Sequence, residues 1–219
     1  MKKVGVLTIG QSPRTDVAPI IQSVLGESVE MIQRGALDSL SDSEIKALWP
    51  NEGDTTYISR LRNGQSTKIK KEALLPLLQR ELNQLEEEVS VVLLLCTGDF
   101  PTIQSKKLLL FPDKILVNVL NAVLREGKLG LIVPLKEQKD QLMEKWHEIS
   151  VPIVAEAASP YEESDIESAA NSLKEQGATV IVLDCMGYDE SHKERAMQAT
   201  NLPIVLSISL AASVLKEYI

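Results

Sequence analysis

An internal repeat constrains this chain more than any other feature. Lys3–Ile9 (KVGVLTI) resembles Lys128–Pro134 (KLGLIVP), and Val89–Asp99 (VSVVLLLCTGD) resembles Ala178–Tyr188 (ATVIVLDCMGY). Each half therefore opens on a Lys-x-Gly strand and later ends a strand on Cys-x-Gly, at Cys96-Thr97-Gly98 and at Cys185-Met186-Gly187. The repeated segments are near-continuous runs of Val, Ile and Leu, which suits parallel strands covered on both faces. Five strands are expected, at Val4–Ile9, Val89–Leu95, Leu129–Val133, Thr179–Leu183 and Pro203–Leu206. The expected fold is α/β: two similar Rossmann-like halves with parallel sheets, related by a pseudo-two-fold axis, with a cleft between them.

Amphipathic stretches fill the spaces between the strands. Val17, Ile20, Ile21 and Val24 form an apolar stripe, with Ser12 as N-cap and Pro13 at the first helical position. A second stripe runs from Ile69 to Leu85, where Pro76 is expected to kink the helix or mark a late start. A third uses Leu135, Leu142, Met143 and Trp146. Ser164 and Glu167 read as a capping box for a helix ended by Gly177, and a last helix begins near Ile208. The first half is the longer one. Its extra segment, about residues 26–66, is expected to hold a short helix capped by Ser41 with Glu44, and a hairpin turning at Asn63-Gly64. The halves are drawn at 1–125 plus 208–219 and at 126–207.

Charge and cysteine usage narrow the function classes. A net charge of −8 argues against nucleic acid as a partner, since phosphate recognition needs a basic face. Lys2-Lys3 precede only the short apolar run Val4–Ile9, too brief for a secretory h-region or a membrane span. The expected location is cytoplasmic, with no membrane partner, and homo-oligomer formation is left open. The two cysteines lack C-x-x-C spacing and read as cytosolic thiols rather than a metal or disulfide framework. No metal is expected.

In open α/β sheets, ligands bind outside the carboxyl ends of the strands. Residues 10–14, 96–100, 134 and 185–188 should therefore converge. Taken alone, each cysteine is a small apolar residue ending a core strand. As an equivalent pair facing a shared cleft, they are placed to take a proton from one face of a carbon and return one to the other. Gln11-Ser12-Pro13-Arg14 reads either as a helix cap followed by a surface arginine or as an anion site built from backbone N–H groups and the Arg14 fork. Asp99 and Asp184 flank the cysteines and read mainly as turn caps. His192 reads as part of a solvated helix start, and Arg60 and Arg62 as exposed hairpin residues.

Four segments carry a resemblance to a known family. Leu7–Asp16 (LTIGQSPRTD), Leu94–Gly98 (LLCTG), Gly130–Pro134 (GLIVP) and Ile181–Gly187 (IVLDCMG) resemble the AroM family, within the aspartate/glutamate/hydantoin racemase superfamily. The resemblance implies a cofactor-independent racemase, or a related decarboxylase or isomerase. It implies proton-transfer roles at an α-carbon for Cys96 and Cys185, and a carboxylate contact for Thr97. Two departures stand out. Thr97 follows Cys96 directly, where amino-acid racemases have Asn-Thr, and Met186 replaces a threonine, nearer to the hydantoin-racemase pattern. The resulting expectation is a racemase or epimerase acting on a small carboxylate or cyclic amide, of amino-acid or hydantoin type. Catalysis falls to Cys96 and Cys185, and substrate contacts to Gln11, Ser12, Arg14, Thr97, Gly98, Met186 and Gly187. The alternative is a binding or regulatory protein for small anions on the same scaffold, without two-base catalysis.

Overall fold

The fold was analysed in a computed structural model, which describes residues 2–138, 145–162 and 164–219. The expected Leu142 and Met143 of the third stripe lie outside the described residues, while Trp146 is fully buried.

The first sheet is built from β1 (Lys2–Thr8), β2 (Val29–Gly35), β5 (Val91–Leu95) and β6 (Leu108–Leu110), in the order β2-β1-β5-β6. The second is built from β7 (Leu129–Val133), β8 (Ile153–Ala157), β9 (Val180–Leu183) and β10 (Ile204–Leu206), in the order β8-β7-β9-β10. All pairings in both sheets are parallel. The two orders coincide when β1 is matched to β7 and β5 to β9, the same pairing that the sequence repeat makes. The central strands β1, β5, β7 and β9 carry the Val/Ile/Leu runs, and they are buried because helices cover them on both faces.

The five expected strands are present, with ends moved by up to two residues. Three further strands, β2, β6 and β8, lie at sheet edges. β2 falls inside the segment expected to be an insertion, yet it pairs along its whole length with β1.

The added piece of the first half is α2 (Asp42–Ala47) and the antiparallel hairpin of β3 (Thr56–Arg60) and β4 (Ser66–Lys70). Ser41 caps α2 in a full capping box with Glu44, as its spacing predicts. The hairpin turns through Asn63-Gly64, closed by the Leu61 N–H donating to the Gln65 carbonyl at 2.8 Å. The hairpin is tied to the segment after β7. Lys68 pairs with Glu137, and the Gln138 side chain donates to the Thr56 carbonyl at 3.0 Å.

Two helix starts differ from expectation. The first helix, α1, spans Ala18–Leu25 with Val17 at its N-cap, so neither Ser12 nor Pro13 begins it. The Ser12 hydroxyl is drawn instead to Asp38 at 2.6 Å, and the Ser12-Pro13 peptide is cis. The helix Ile166–Glu175, here α5, is capped by Asp165, whose carboxylate accepts from the Ser168 N–H. Ser164 donates to the Ser159 carbonyl, and Glu167 pairs with Arg195.

Pro76 does not mark a helix start. α3 (Lys71–Leu85) begins ahead of it, and the buried stripe Leu74, Leu78, Leu82 and Leu85 carries the helix through the missing N–H. The remaining helices are α4 (Pro112–Val123), α6 (Glu190–Thr200) and α7 (Ser207–Lys216). α7 follows β10 of the second sheet but packs on α1 and α4. Among the described residues, no helix is long and apolar enough to cross a membrane.

Candidate active site

β5 and β9 end at Leu95 and Leu183, which places Cys96 and Cys185 just beyond the carboxyl ends of equivalent strands. Both thiols are free, and both line one cleft of ≈ 230 Å³. The backbone turns back on each sulfur in the same way. The Gly98 N–H donates to Cys96 Sγ at 3.3 Å, and the Gly187 N–H donates to Cys185 Sγ at 3.4 Å. A tyrosine ring lies against each of these glycines. A Cβ at position 98 would sit 2.4 Å from Tyr57 Cε1, and one at position 187 would sit 2.4 Å from Tyr161 Oη. Only glycine leaves room for that approach.

Charge in the cleft is arranged around two aspartates. Asp184 is buried and accepts from Lys145 Nζ and, at 3.1 Å, from Trp146 Nε1. Its carbonyl accepts from the Thr97 hydroxyl at 3.2 Å, which joins the two cysteine loops. Asp113, in the first turn of α4, is 1% exposed, and its Oδ1 has no hydrogen-bond partner among the described residues. Its Oδ2 lies 3.5 Å from Lys114 Nζ, which also approaches Asp99 at 3.6 Å. Burial raises the Asp113 pKa, opposed by Lys145 and Lys114. A second unpartnered atom lining the cleft is Ser59 Oγ on β3.

Burial also raises both thiols. Cys96 is pushed up to about 12 against the pull of the Gly98 N–H. Cys185 is raised as well, opposed by the Gly187 N–H, the Tyr161 hydroxyl and Arg14. Both cysteine residues are half-buried and line the cleft.

The cleft brings together some of the residues singled out in the sequence and not others. Cys96, Cys185, Thr97, Gly98 and Met186 line the cleft, and so do Ile9, Asp99, Pro134 and Asp184. Gln11, Ser12 and Arg14 do not line it. Gln11 and Ser12 are knitted to the hairpin: the Arg62 N–H donates to Gln11 Oε1 at 3.0 Å, and the Arg62 side chain donates to the Ser12 carbonyl and to Asp38. Arg14 is 3% exposed and is held by Asp16 through Nε at 2.9 Å and Nη2 at 2.8 Å. With no helix starting at Ser12, the loop has no free fan of N–H groups for an anion. Gly187 lies behind its sulfur rather than on the cleft wall. The N–H groups of Gly98 and Gly187 face sulfur, where they favour the ionised form of each thiol. His192 closes a capping box with Asp189 on α6, in keeping with its reading as a helix start.

The sequence reading missed Asp113, Lys145, Tyr161 and the hairpin residues Tyr57 and Ser59. Asp113 and Tyr161 follow the carboxyl ends of β6 and β8. Recognition of those strands would have pointed to them. Tyr57 and Ser59 share one face of β3 through strand alternation.

Asp113 gives a stability prediction with a definite sign. Its pKa is higher folded than unfolded, so its contribution is fully present below the unfolded carboxylate pKa and is lost as pH rises through the folded one. Asp113→Asn should therefore stabilise the protein at pH 7–8 by about 1–3 kcal/mol, the scale of an unsatisfied buried polar group. The gain should fade toward pH 4. Urea unfolding of both proteins across this range measures it.

A family model described as AroM protein matches residues 4–219. The chain belongs to the AroM family. A comparison with curated protein sequences finds no match. Solved structures similar to this AroM protein include the aspartate racemase of Picrophilus torridus, at 14% identity and TM-score 0.59, covering 99% of this chain and 94% of that one. Glutamate racemase from Aquifex pyrophilus is similar at 13% identity and TM-score 0.63, covering 99% and 84%. The maleate isomerase Iso from Pseudomonas putida S16 is similar at 11% identity and TM-score 0.57, covering 99% and 93%. At such identities the likeness is one of fold: this AroM protein shares its two-sheet fold with these racemase and isomerase structures.

Proposed function

We propose that this AroM protein is a cofactor-independent proton-transfer enzyme, a racemase, epimerase or related isomerase or decarboxylase, acting on a small carboxylate or cyclic amide. The observation that carries the reading is the matched pair of sulfurs opening onto one cleft, each backed by the N–H of the glycine two residues on. The cleft volume of ≈ 230 Å³ suits a metabolite-sized ligand rather than a larger one.

One sulfur enters the reaction as thiolate and the other as thiol. The thiolate takes the α-proton, leaving an enolate-like carbanion, and the thiol returns a proton to the opposite face. The pair ends with its protonation exchanged, so no co-reactant is consumed. Lys114 offers positive charge to a carboxylate or to the developing enolate oxygen. Ser59 Oγ and Asp113 Oδ1 offer hydrogen bonds to the substrate's remaining polar group. Halves drawn at 1–125 plus 208–219 and at 126–207 would supply one sulfur each.

Raised thiol pKa values give the activity its pH dependence. In the free enzyme the thiolate is the minor form at neutral pH, so kcat/KM should rise about tenfold per pH unit from pH 7 to 9. A profile flat over that range would contradict a thiolate base.

Proton NMR in D2O tests the function over a panel of amino acids, hydantoins and malonate-type acids. Loss of the α-proton signal in at least one compound supports it, and no wash-in with any of them counts against it. A second reading, a small-anion binding or regulatory protein, is favoured by the protonated state that burial imposes on both thiols. It expects ligands to raise the melting temperature with no exchange at any pH.

A further inference from the structure

The two sulfurs share a backbone setting but differ in one donor. Tyr161, after β8, directs its hydroxyl at Cys185 Sγ, 3.9 Å away. Tyr57, which lies over Gly98 in the matching place, turns its hydroxyl away and donates to the Asp99 carbonyl at 3.0 Å. Among the described residues Cys96 thus has its glycine N–H as hydrogen-bond donor, where Cys185 has a glycine N–H and a phenol.

The Tyr161 hydroxyl is fixed from behind. The Arg14 guanidinium carbon stands 6.0 Å from the Tyr161 ring centroid, within cation–π range. Arg14 is in turn fixed by Asp16 and by its Nη1 donating to Thr8 Oγ1 at 3.3 Å. Burial opposes the Arg14 charge, but Tyr161 and Asp16 outweigh it, so the guanidinium stays charged. Burial holds the Tyr161 phenol well above its ordinary pKa, so it stays a proton donor. This explains why an arginine expected to grip substrate is sealed away beside the cleft.

We propose that Tyr161, held against Arg14, makes Cys185 the sulfur that ionises more readily in the ligand-free protein and leaves Cys96 as the thiol acid. The assignment deepens the reading above and rests on it for its catalytic meaning. From that state Cys185 removes the proton and Cys96 returns one, with the roles exchanged in the reverse direction, and Tyr161 and Arg14 act as positioning residues, Arg14 from outside the cleft. The other charged or titratable groups around Cys185 do not reverse the order. Asp184 opposes a thiolate there, but its carboxylate is occupied by Lys145 and Trp146. Asp16 is occupied by Arg14. Tyr188 donates its hydroxyl to the Ala158 carbonyl at 2.5 Å and is not turned to sulfur. Cys96, for its part, is disfavoured as thiolate by Asp113 and favoured by Lys145, which already serves Asp184.

Alkylation by iodoacetamide as a function of pH tests the order without any substrate. Cys96→Ala reports Cys185 alone, and Cys185→Ala reports Cys96 alone, with adducts counted by mass spectrometry. Cys185 should reach half-maximal reactivity at least about one pH unit below Cys96, a tenfold difference at a fixed pH on the rising limb. Tyr161→Phe keeps the ring over Gly187 and removes only the hydroxyl. It should slow Cys185 about tenfold on that limb and leave Cys96 unchanged. Equal titration of the two thiols, a lower value for Cys96, or no response of Cys185 to Tyr161→Phe overturns the proposal. Peptide mapping of the adducts on Cys96 and on Cys185 in the wild-type protein provides the same titration should a variant fold poorly. Failure of every acid to exchange would sink the catalytic reading while leaving this order measurable, so the two failures are distinguishable.

Discussion

Cys185→Ala and Cys96→Ala are each expected to lower α-proton exchange with inversion by about 10²–10⁴-fold, the contribution of a positioned acid or base. The double variant should fall little further, because groups that act as a unit are not additive. The physical reason is that a single thiol cannot serve both faces of one carbon. The sulfurs follow equivalent strands of two sheets with the same strand order and line one cleft, and in the proposed mechanism a flat intermediate there presents one face to each. Both cysteines are half-buried and held by one backbone N–H each, so their loss should leave folding almost untouched. Exchange kinetics by NMR, with melting curves as the control, separate lost chemistry from lost structure. A variant retaining near-full exchange would remove its sulfur from the mechanism.

Lys145→Met is expected to destabilise the protein by about 3–5 kcal/mol, the scale of breaking a buried ion pair from one side. Lys145 and Asp184 have side-chain exposures of 8% and 1%. Removal of the ammonium leaves a carboxylate with the Trp146 N–H as its remaining side-chain donor. For a chain of this length the melting temperature should drop by about 6–20 °C. The double variant Lys145→Met/Asp184→Leu should recover much of the loss, since a neutral pair of similar size escapes the uncompensated charge. Scanning calorimetry of the single and double variants decides it; a single variant as stable as wild type would mean that the pair holds nothing together. Thr97 donates to the Asp184 carbonyl, so the same change should also loosen the contact between the cysteine loops.

The central strands were legible because burial on both faces leaves only apolar residues to choose from, and the Cys-x-Gly repeat marked where two of them end. The edge strands were not. β2 (VEMIQRG) mixes polar with apolar residues, since only part of its surface is covered, and β8 (IVAEA) is half-buried along its whole length. α4 does carry a helical period, with Lys114 and Asn118 exposed opposite the buried Leu116, Val117 and Leu120, whereas α6 is mostly polar and is marked by its Asp189 cap. Missing β6 and β8 hid Asp113 and Tyr161, which lie just past their ends. Arg14 was placed in the site because Ser12-Pro13 imitates a helix start. The chain instead spends Ser12 on Asp38, begins α1 at Ala18, and turns Arg14 inward to Asp16.

The most direct test of two sulfurs sharing one carbon is enantiomer-resolved exchange in D2O, begun from each pure enantiomer of the compound that shows wash-in. Two thiols on opposite faces predict that early product of inverted configuration carries deuterium while the recovered starting enantiomer still carries hydrogen. Deuterium entering the starting enantiomer first, with configuration retained and no inversion, would mean that one group takes and returns the proton on a single face, and the paired-sulfur account would be wrong.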